Sequence, residues 1–257
     1  MFKSLAPFGG DQRQVAEVVR GIMDGKTNNT GTLTLATGGA VTTTLTDRRI
    51  GPESVILFAP ASAAANADYM PYGAFQSLVD QTIATANTAY AMTMDTTDYS
   101  NGITLSNSSR LNVKNTGIYN FQWSGQFENT DSQDHDVRVW LKINGTNLTG
   151  STGFFAIASK HGSVDGRGLV GWNYYLSLNA NDYVELWWET DNALVSLQAY
   201  AAGTNYPSTA SLITTMNYIS PSALTNIYAS SQGQGTATIT HFANSTANKK
   251  YRYAIIG

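Results

Sequence analysis

From residue 118 to residue 128, large apolar side chains fall on alternate positions: Tyr119, Phe121, Trp123 and Phe127 interleave with Asn120, Gln122, Ser124 and Gln126. Successive side chains of a strand leave opposite faces of a sheet, so this period predicts a half-buried β-strand. Val137, Val139, Leu141 and Ile143 repeat the pattern. Asn144-Gly145 follows as a hairpin turn, because these residues accept the positive φ angles of a two-residue loop. Val170 to Leu178, Tyr183 to Glu189, Leu194 to Tyr200 and Ser211 to Ile219 read as further strands. Strands at this spacing, with no helical period between them, predict an antiparallel sandwich.

The two ends of the chain follow a different pattern. Val15, Val18, Val19 and Ile22 keep helical spacing, which predicts a helix from Asp11 to Met23, with Asp11 as its cap and Gly25 as its stop. Thr32 to Leu35 and Val41 to Leu45 flank Gly38-Gly39 and read as a hairpin. Ser54 to Phe58 is a compact apolar strand closed by Pro60, and Ala61 to Ala67 reads as a small-residue linker. Beyond Pro221, Thr236 to His241 and Tyr251 to Ile256 are two short strands around an Asn/Lys turn, closer in character to those before residue 60 than to the middle ones. The expected organisation is therefore a discontinuous domain of residues 1–67 plus 221–257, carrying residues 70–220 as an insertion.

Composition narrows the function. Charged residues make up 13% of the chain, about half the usual globular share. Thr, Ser, Asn and Gly take their place and suit turn-rich β structure. The formal net charge of −3 gives no electrostatic reason to expect nucleic-acid binding or a polybasic membrane contact. Cysteine is absent, which excludes disulfides and thiolate metal sites. Met1 to Pro7 lacks the apolar core of a signal peptide, and no apolar run reaches the roughly 18 residues that cross a bilayer. The expectation is a protein made and kept in a cytosol, with no membrane insertion. Asn-X-Ser/Thr triplets such as those at Asn144 and Asn147 are expected by chance in this composition.

Three segments of the middle region carry a resemblance: Gly117-Ile118-Tyr119-Asn120-Phe121, Trp140-Leu141-Lys142-Ile143-Asn144-Gly145, and Leu178-Asn179-Ala180-Asn181-Asp182-Tyr183-Val184. Together they resemble the C1q/tumour-necrosis-factor-like jelly roll, in the version common on phage structural proteins. Asn181 stands where that family usually has Gly, and Asn also tolerates a left-handed turn. The flanks, through Asp11-Gln12-Arg13-Gln14-Val15-Ala16, Met23-Asp24-Gly25-Lys26-Thr27-Asn28 and the ending Tyr251-Arg252-Tyr253-Ala254-Ile255-Ile256-Gly257, resemble a small family of phage proteins. The resemblance implies a mainly β protein: an antiparallel C1q/TNF-like jelly-roll sandwich inserted in a small β-rich domain with one N-terminal helix. It further implies a homotrimer in the virion, made in the host cytoplasm. Its partners would be other virion proteins of tail or capsid and a host surface polysaccharide or protein. Two roles fit: a short tail fibre or receptor-binding protein, or a capsid decoration or head-fibre protein.

No residue set argues for an enzyme or a cofactor. Gly25-Lys26-Thr27 follows a helix and lacks the earlier Gly of a phosphate loop. His135, His161 and His241 stand apart, without zinc spacing. Ser163, His161 and Asp165 are too close in sequence for a catalytic set, although their loop and that of His135-Asp136 both lie near strand ends and can converge. Asp131, Asp134 and Asp136 offer hard ligands for calcium but lack the Gly and closing Glu of a calcium loop, so a solvated turn is expected. The most suggestive side chains are aromatic: Trp140, Tyr174, Tyr175, Trp187 and Trp188. Alternation points Trp140 and Trp187 away from the faces that hold Leu141 and Trp188. Trp140, Tyr174 and Trp187 are the candidates for a trimer interface or, alternatively, a sugar-stacking receptor contact.

Overall fold

The structure is a computed structural model and describes residues 11–24, 29–66, 71–220 and 227–257. It is mainly β with antiparallel sheets. Two compact units divide the chain, Met1–Asn66 with Asn226–Gly257, and Ala67–Thr225. Ala67 and Pro221, the expected hinge residues, lie outside the described residues, as does the Gly25-Lys26-Thr27 segment expected to stop the first helix. The N-terminal part of the first unit holds α1 (Gln12–Met23), β1 (Thr30–Thr34), β2 (Ala40–Thr46), β3 (Val55–Pro60) and α2 (Ala63–Asn66). Asp11 caps α1, its carboxylate accepting from the Gln14 N–H at 2.8 Å, which satisfies one of the free donors of the first turn. None of the residues of α1 is buried, and Val15, Val19 and Ile22 form an exposed apolar stripe.

The second unit contains β4 (Tyr72–Ser77), β5 (Gln81–Thr82), β6 (Tyr90–Ala91), β7 (Thr96–Asn101), β8 (Ile103–Ser106), β9 (Arg110–Val113), β10 (Gly117–Asn129), β11 (His135–Ile143), β12 (Thr146–Asn147), β13 (Gly153–Ile157), β14 (Gly166–Leu178), β15 (Tyr183–Thr190), β16 (Val195–Leu197) and β17 (Leu212–Ser220). One sheet runs β7-β4-β17-β10-β14, with β16 beside the end of β10 and β5 beyond it. The other runs β8-β9-β15-β11-β13, with β6 on β15 and β12 on β11. The predicted alternation holds: Tyr119, Phe121, Trp123 and Phe127 are buried between the sheets, opposite Val137, Val139, Leu141 and Trp188. Phe127 meets the edge of Trp188 at 5.9 Å between ring centroids and that of Phe155 at 5.1 Å. Burying one such ring contributes roughly 2–3 kcal/mol. The Tyr119 hydroxyl donates to the Asn115 carbonyl at 2.6 Å, and burial pushes this phenol above its ordinary pKa. Asn144 and Gly145 turn the β11–β12 hairpin at φ 52° and 80°, and Asn181 takes φ 72° in place of Gly.

The chain returns to the first unit with β18 (Ile227–Gly233), β19 (Thr236–Asn244) and β20 (Lys250–Ile256). Two three-stranded sheets result, β1-β20-β3 and β18-β19-β2, around Leu33, Leu45, Ile50, Ile239, Tyr251 and Ile255. This corrects two expectations. The strands around Gly38-Gly39 do not pair with each other, although both glycines have positive φ; β1 pairs with β20, and β2 with β19. The last two strands likewise separate into different sheets. Leu33 and Leu45 enter the common core from these two different sheets. Residues 61–66 also belong to this unit rather than to a linker. Ser62 caps α2, Ala65 is fully buried, and the Ala65 carbonyl accepts from the Tyr251 hydroxyl at 3.5 Å.

Asp47 joins the layers of this small unit. Its carboxylate accepts from Arg49 Nε at 2.8 Å and from the Tyr253 hydroxyl at 2.7 Å, and also pairs with Arg49 Nη2. Arg49 and these hydrogen bonds hold the carboxyl well below the usual carboxylate range. The folded-state pKa is depressed, so the stabilisation is present above the unfolded value near 4 and is lost as pH falls below it. Asp47→Asn should lower protection of β20 amides in hydrogen exchange by about 1 kcal/mol at pH 7, and the gap to wild type should shrink steadily below about pH 4. Each unit should also keep its own core. All tryptophans, at positions 123, 140, 172, 187 and 188, lie in the second unit. A fragment of residues 71–220 should therefore fold and reproduce the tryptophan emission of the full chain; a fully red-shifted spectrum would show that the units share one core.

Candidate functional site

The two outer faces of the sandwich differ in chemistry. On β11 and β15 the outward register partners are Arg138 with Glu189, Trp140 with Trp187, and Lys142 with Glu185. Arg138 Nη1 donates to Glu189 Oε1 at 2.8 Å, and its guanidinium lies 4.6 Å from the Phe154 ring centroid. The Lys142 ammonium lies 3.5 Å from the centroid of Trp187. Glu185 accepts from Ser109 Oγ at 2.9 Å and Arg110 Nε at 3.2 Å. Each charge on this ladder is thus met by an opposite charge or an aromatic face. The Trp140 N–H donates to Asn147 Oδ1 at 2.9 Å, across the hairpin turned by Asn144-Gly145. A cleft of about 300 Å³ lies beside the Trp140 indole, with Arg138, Glu189, Asn147, Leu148 and Thr152 in its wall.

The outer face of the other sheet is built from uncharged groups. One row across five strands reads Tyr175, Asn120, Asn217, Tyr72, Asn101. The next reads Asn173, Gln122, Thr215, Ala74, Tyr99. Gly171 leaves a shallow depression of about 640 Å³ beside Gln122 and Asn173. Charge enters toward the ends, where Arg167 Nε donates to Glu128 at 3.1 Å and Gln76 Nε2 donates to Asp98 at 2.7 Å. The Tyr200 hydroxyl donates to Glu128 at 2.7 Å, and burial together with that carboxylate pushes its pKa up to about 12.

Both sheets end on the same side, at β13 and β14. Among the described residues β14 pairs only with β10, so the far edge of this 13-residue strand carries no partner strand. Phe154, Leu169 and Tyr175 are 64%, 71% and 69% exposed along this edge, and Trp172 is 51% exposed. The Trp172 ring covers Gly153 so closely that a Cβ there would lie 2.7 Å from it, and it stacks on Tyr174 at 6.1 Å. Tyr174 donates its hydroxyl proton to the Ser151 carbonyl at 2.7 Å, and burial raises its pKa.

Of the aromatic candidates, Trp140 and Trp187 come together as direct cross-strand neighbours on the outer face, while Leu141 and Trp188 point inward. Tyr174 lies on the other sheet, on the side of β14 that carries the buried Leu176 and Leu178, and does not join them. Sequence reasoning missed Trp172 and Phe154. The only available signal was the glycine spacing around them, Gly153, Gly166, Gly168 and Gly171, which marks places where other groups approach the backbone. The loops of His135 and His161 do meet, through the Lys160 N–H to the Asp131 carbonyl at 2.7 Å and the Ser159 N–H to Asp134 Oδ1 at 2.7 Å. The histidine side chains do not form a catalytic pair: His135 turns to Asp131, Asp191 and Asn192, and Asp165 pairs with Lys160 at 2.9 Å. His241 lies in the other unit, where its Nε2 meets Thr43 Oγ1 at 2.8 Å. Asp131 and Asp134 are committed to these separate partners and Asp136 is exposed; among the described residues no three His, Cys, Asp or Glu side chains converge as metal ligands.

No protein-family model matches the chain, and no curated protein is significantly similar to it.

The His135 contacts generate a pH-dependent prediction. Its two ring nitrogens lie 2.7 Å from Asp131 and 3.0 Å from Asp191, which ties the β10–β11 turn to the loop after β15. The hydrogen bond from His135 holds the Asp131 carboxyl below its ordinary range. That contribution is present above the ordinary carboxylate pKa and is lost as pH falls through it. Protection factors, which correct for the slower intrinsic exchange in acid, should fall in residues 130–134 and 191–194 on acidification toward about pH 3. A His135→Leu variant should show the low protection factors already at pH 7.

Proposed function

We propose that this chain is a non-enzymatic bacteriophage virion component, a short tail fibre or receptor-binding protein. In this reading the first unit docks on the particle, and the second is a C1q/TNF-like jelly roll presented to the host as a homotrimer. The observation that supports the assembly is the presence of two uncovered surfaces on the second unit. One is the β13–β14 edge with Phe154, Leu169, Trp172 and Tyr175; the other is the uncharged outer face of β10, β17 and β4. A long apolar edge strand invites pairing and is normally covered, and interface cores are depleted of charge and enriched in aromatics. The surfaces differ from each other, so a contact between them is head-to-tail, the kind that forms a ring where its rotation closes. The strand orders β7-β4-β17-β10-β14 and β8-β9-β15-β11-β13 support the jelly roll, since each sheet interleaves early and late strands as a doubly wound sandwich requires. The exposed stripe of α1 supports docking by the first unit, because a lone helix of this length is marginal in water until its apolar face is covered.

Light scattering of the purified protein should give three times the chain mass of 27.6 kDa. Trp172→Asp together with Tyr175→Asp should shift it to monomer with the tryptophan emission of Trp123 and Trp188 retained. A wild-type monomer at micromolar concentration would overturn the trimer. Antibody-gold labelling of virions should mark the tail; gold on the head would replace this reading with the capsid decoration role.

A further inference from the structure

We propose that the cleft beside Trp140 is a subsite for one pyranose ring of an electrically neutral glycan. This deepens the host-facing reading and rests on it for biological context.

The two outward tryptophans of the ladder are not equivalent. The Trp187 ring is already occupied by the Lys142 ammonium at 3.5 Å. Trp140 instead forms part of the cleft wall. Its N–H is held by Asn147 Oδ1 at 2.9 Å, which fixes the indole plane without covering the cleft. A rigid aromatic plane is an apolar platform for the C–H face of a sugar. The groups around it decide the charge of the ligand. Arg138 and Glu189 are paired at 2.8 Å, so the wall carries no net charge. An anionic ligand would meet the Glu189 carboxylate, and a cationic one would meet the Arg138 guanidinium. A neutral polyol meets neither penalty: its hydroxyls donate to Glu189 and accept from Arg138, while Asn147 and Thr152 offer further donors and acceptors. The cleft volume of about 300 Å³ is at the small end for ligand sites, which suits one ring rather than a long chain segment. Such a contact is weak singly, with a dissociation constant on the order of a millimolar, and gains strength when several copies engage one polymer.

The test uses the full-length protein with lactose, cellobiose, maltose and chitotriose as neutral probes. Digalacturonic acid and the glucosamine trimer serve as anionic and cationic controls. Saturation-transfer NMR and backbone amide shifts report binding and its location. At least one neutral probe should bind in the millimolar range and shift the Asn147 and Thr152 amides, while the charged controls bind at least about tenfold more weakly. Trp140→Ala should weaken binding about tenfold or more, and Trp140→Phe should keep it within about threefold. Tyr99→Ala, on the outer face of the other sheet, should leave it unchanged. The Phe variant and the wild-type shift map guard against misfolding of the Ala variant. The subsite is overturned if none of the neutral probes binds at about 50 mM, if shifts map away from Trp140, or if a charged control binds better. Binding by purified protein without gold on the virion would sink the virion reading and leave the subsite standing. Gold on the tail without sugar binding would sink the subsite alone.

Discussion

Strand β10 sets the geometry of the second unit because its pleat separates two chemistries at every step. Its inward side carries Tyr119, Phe121, Trp123 and Phe127, and its outward side carries Asn120, Gln122, Ser124 and Gln126. β14 registers along one edge over all 13 residues, and β17 with β16 registers along the other. A slip of one residue would put four aromatic rings in solvent and four amides or hydroxyls in the core. The same alternation that fills the interior therefore also writes the uncharged outer face. That face inherits its flatness and its amide rows from the register that the core demands.

Much of this was legible from the chain. The period of Ile118 to Glu128 and of Val137 to Ile143 located the two central strands, and Asp11 marked the first helix through its capping chemistry. The sides taken by Trp140 and Trp187 followed from alternation alone. Their neighbours did not, because Arg138 meets Glu189 only once the β11–β15 register is known. Gly38-Gly39 shows the limit of local signals: the turn residues specify a reversal but not a pairing partner, and that partner came from a segment some two hundred residues away. The β14 edge was obscured for another reason. Leu169, Trp172, Tyr174 and Tyr175 bunch among glycines without a clean period, because the strand lies where the sandwich opens and both of its sides are partly exposed.

The candidate site follows from the same asymmetry. Trp140 is held by a hairpin whose turn requires positive φ at Asn144 and Gly145, and Asn147 on the returning strand fixes the indole. The Arg138–Glu189 pair lies one register step away and supplies polar groups without net charge. The site thus depends on short-range β geometry and not on long loops, which favours a preformed cleft over one assembled by the ligand.

The division of charge between the two faces also determines how each responds to ionic strength. Between surfaces of amides, phenols and small hydroxyls there is no Coulomb attraction to screen, so an association there holds equally in dilute and concentrated electrolyte. On the opposite sheet the charges neutralise one another within a few ångströms, well inside a Debye length of roughly 8 Å at physiological salt. Its long-range field is therefore small, and added salt has little left to remove. With a formal net charge of −3 over the whole chain, these two faces offer an approaching surface shape and hydrogen bonds and little electrostatic steering.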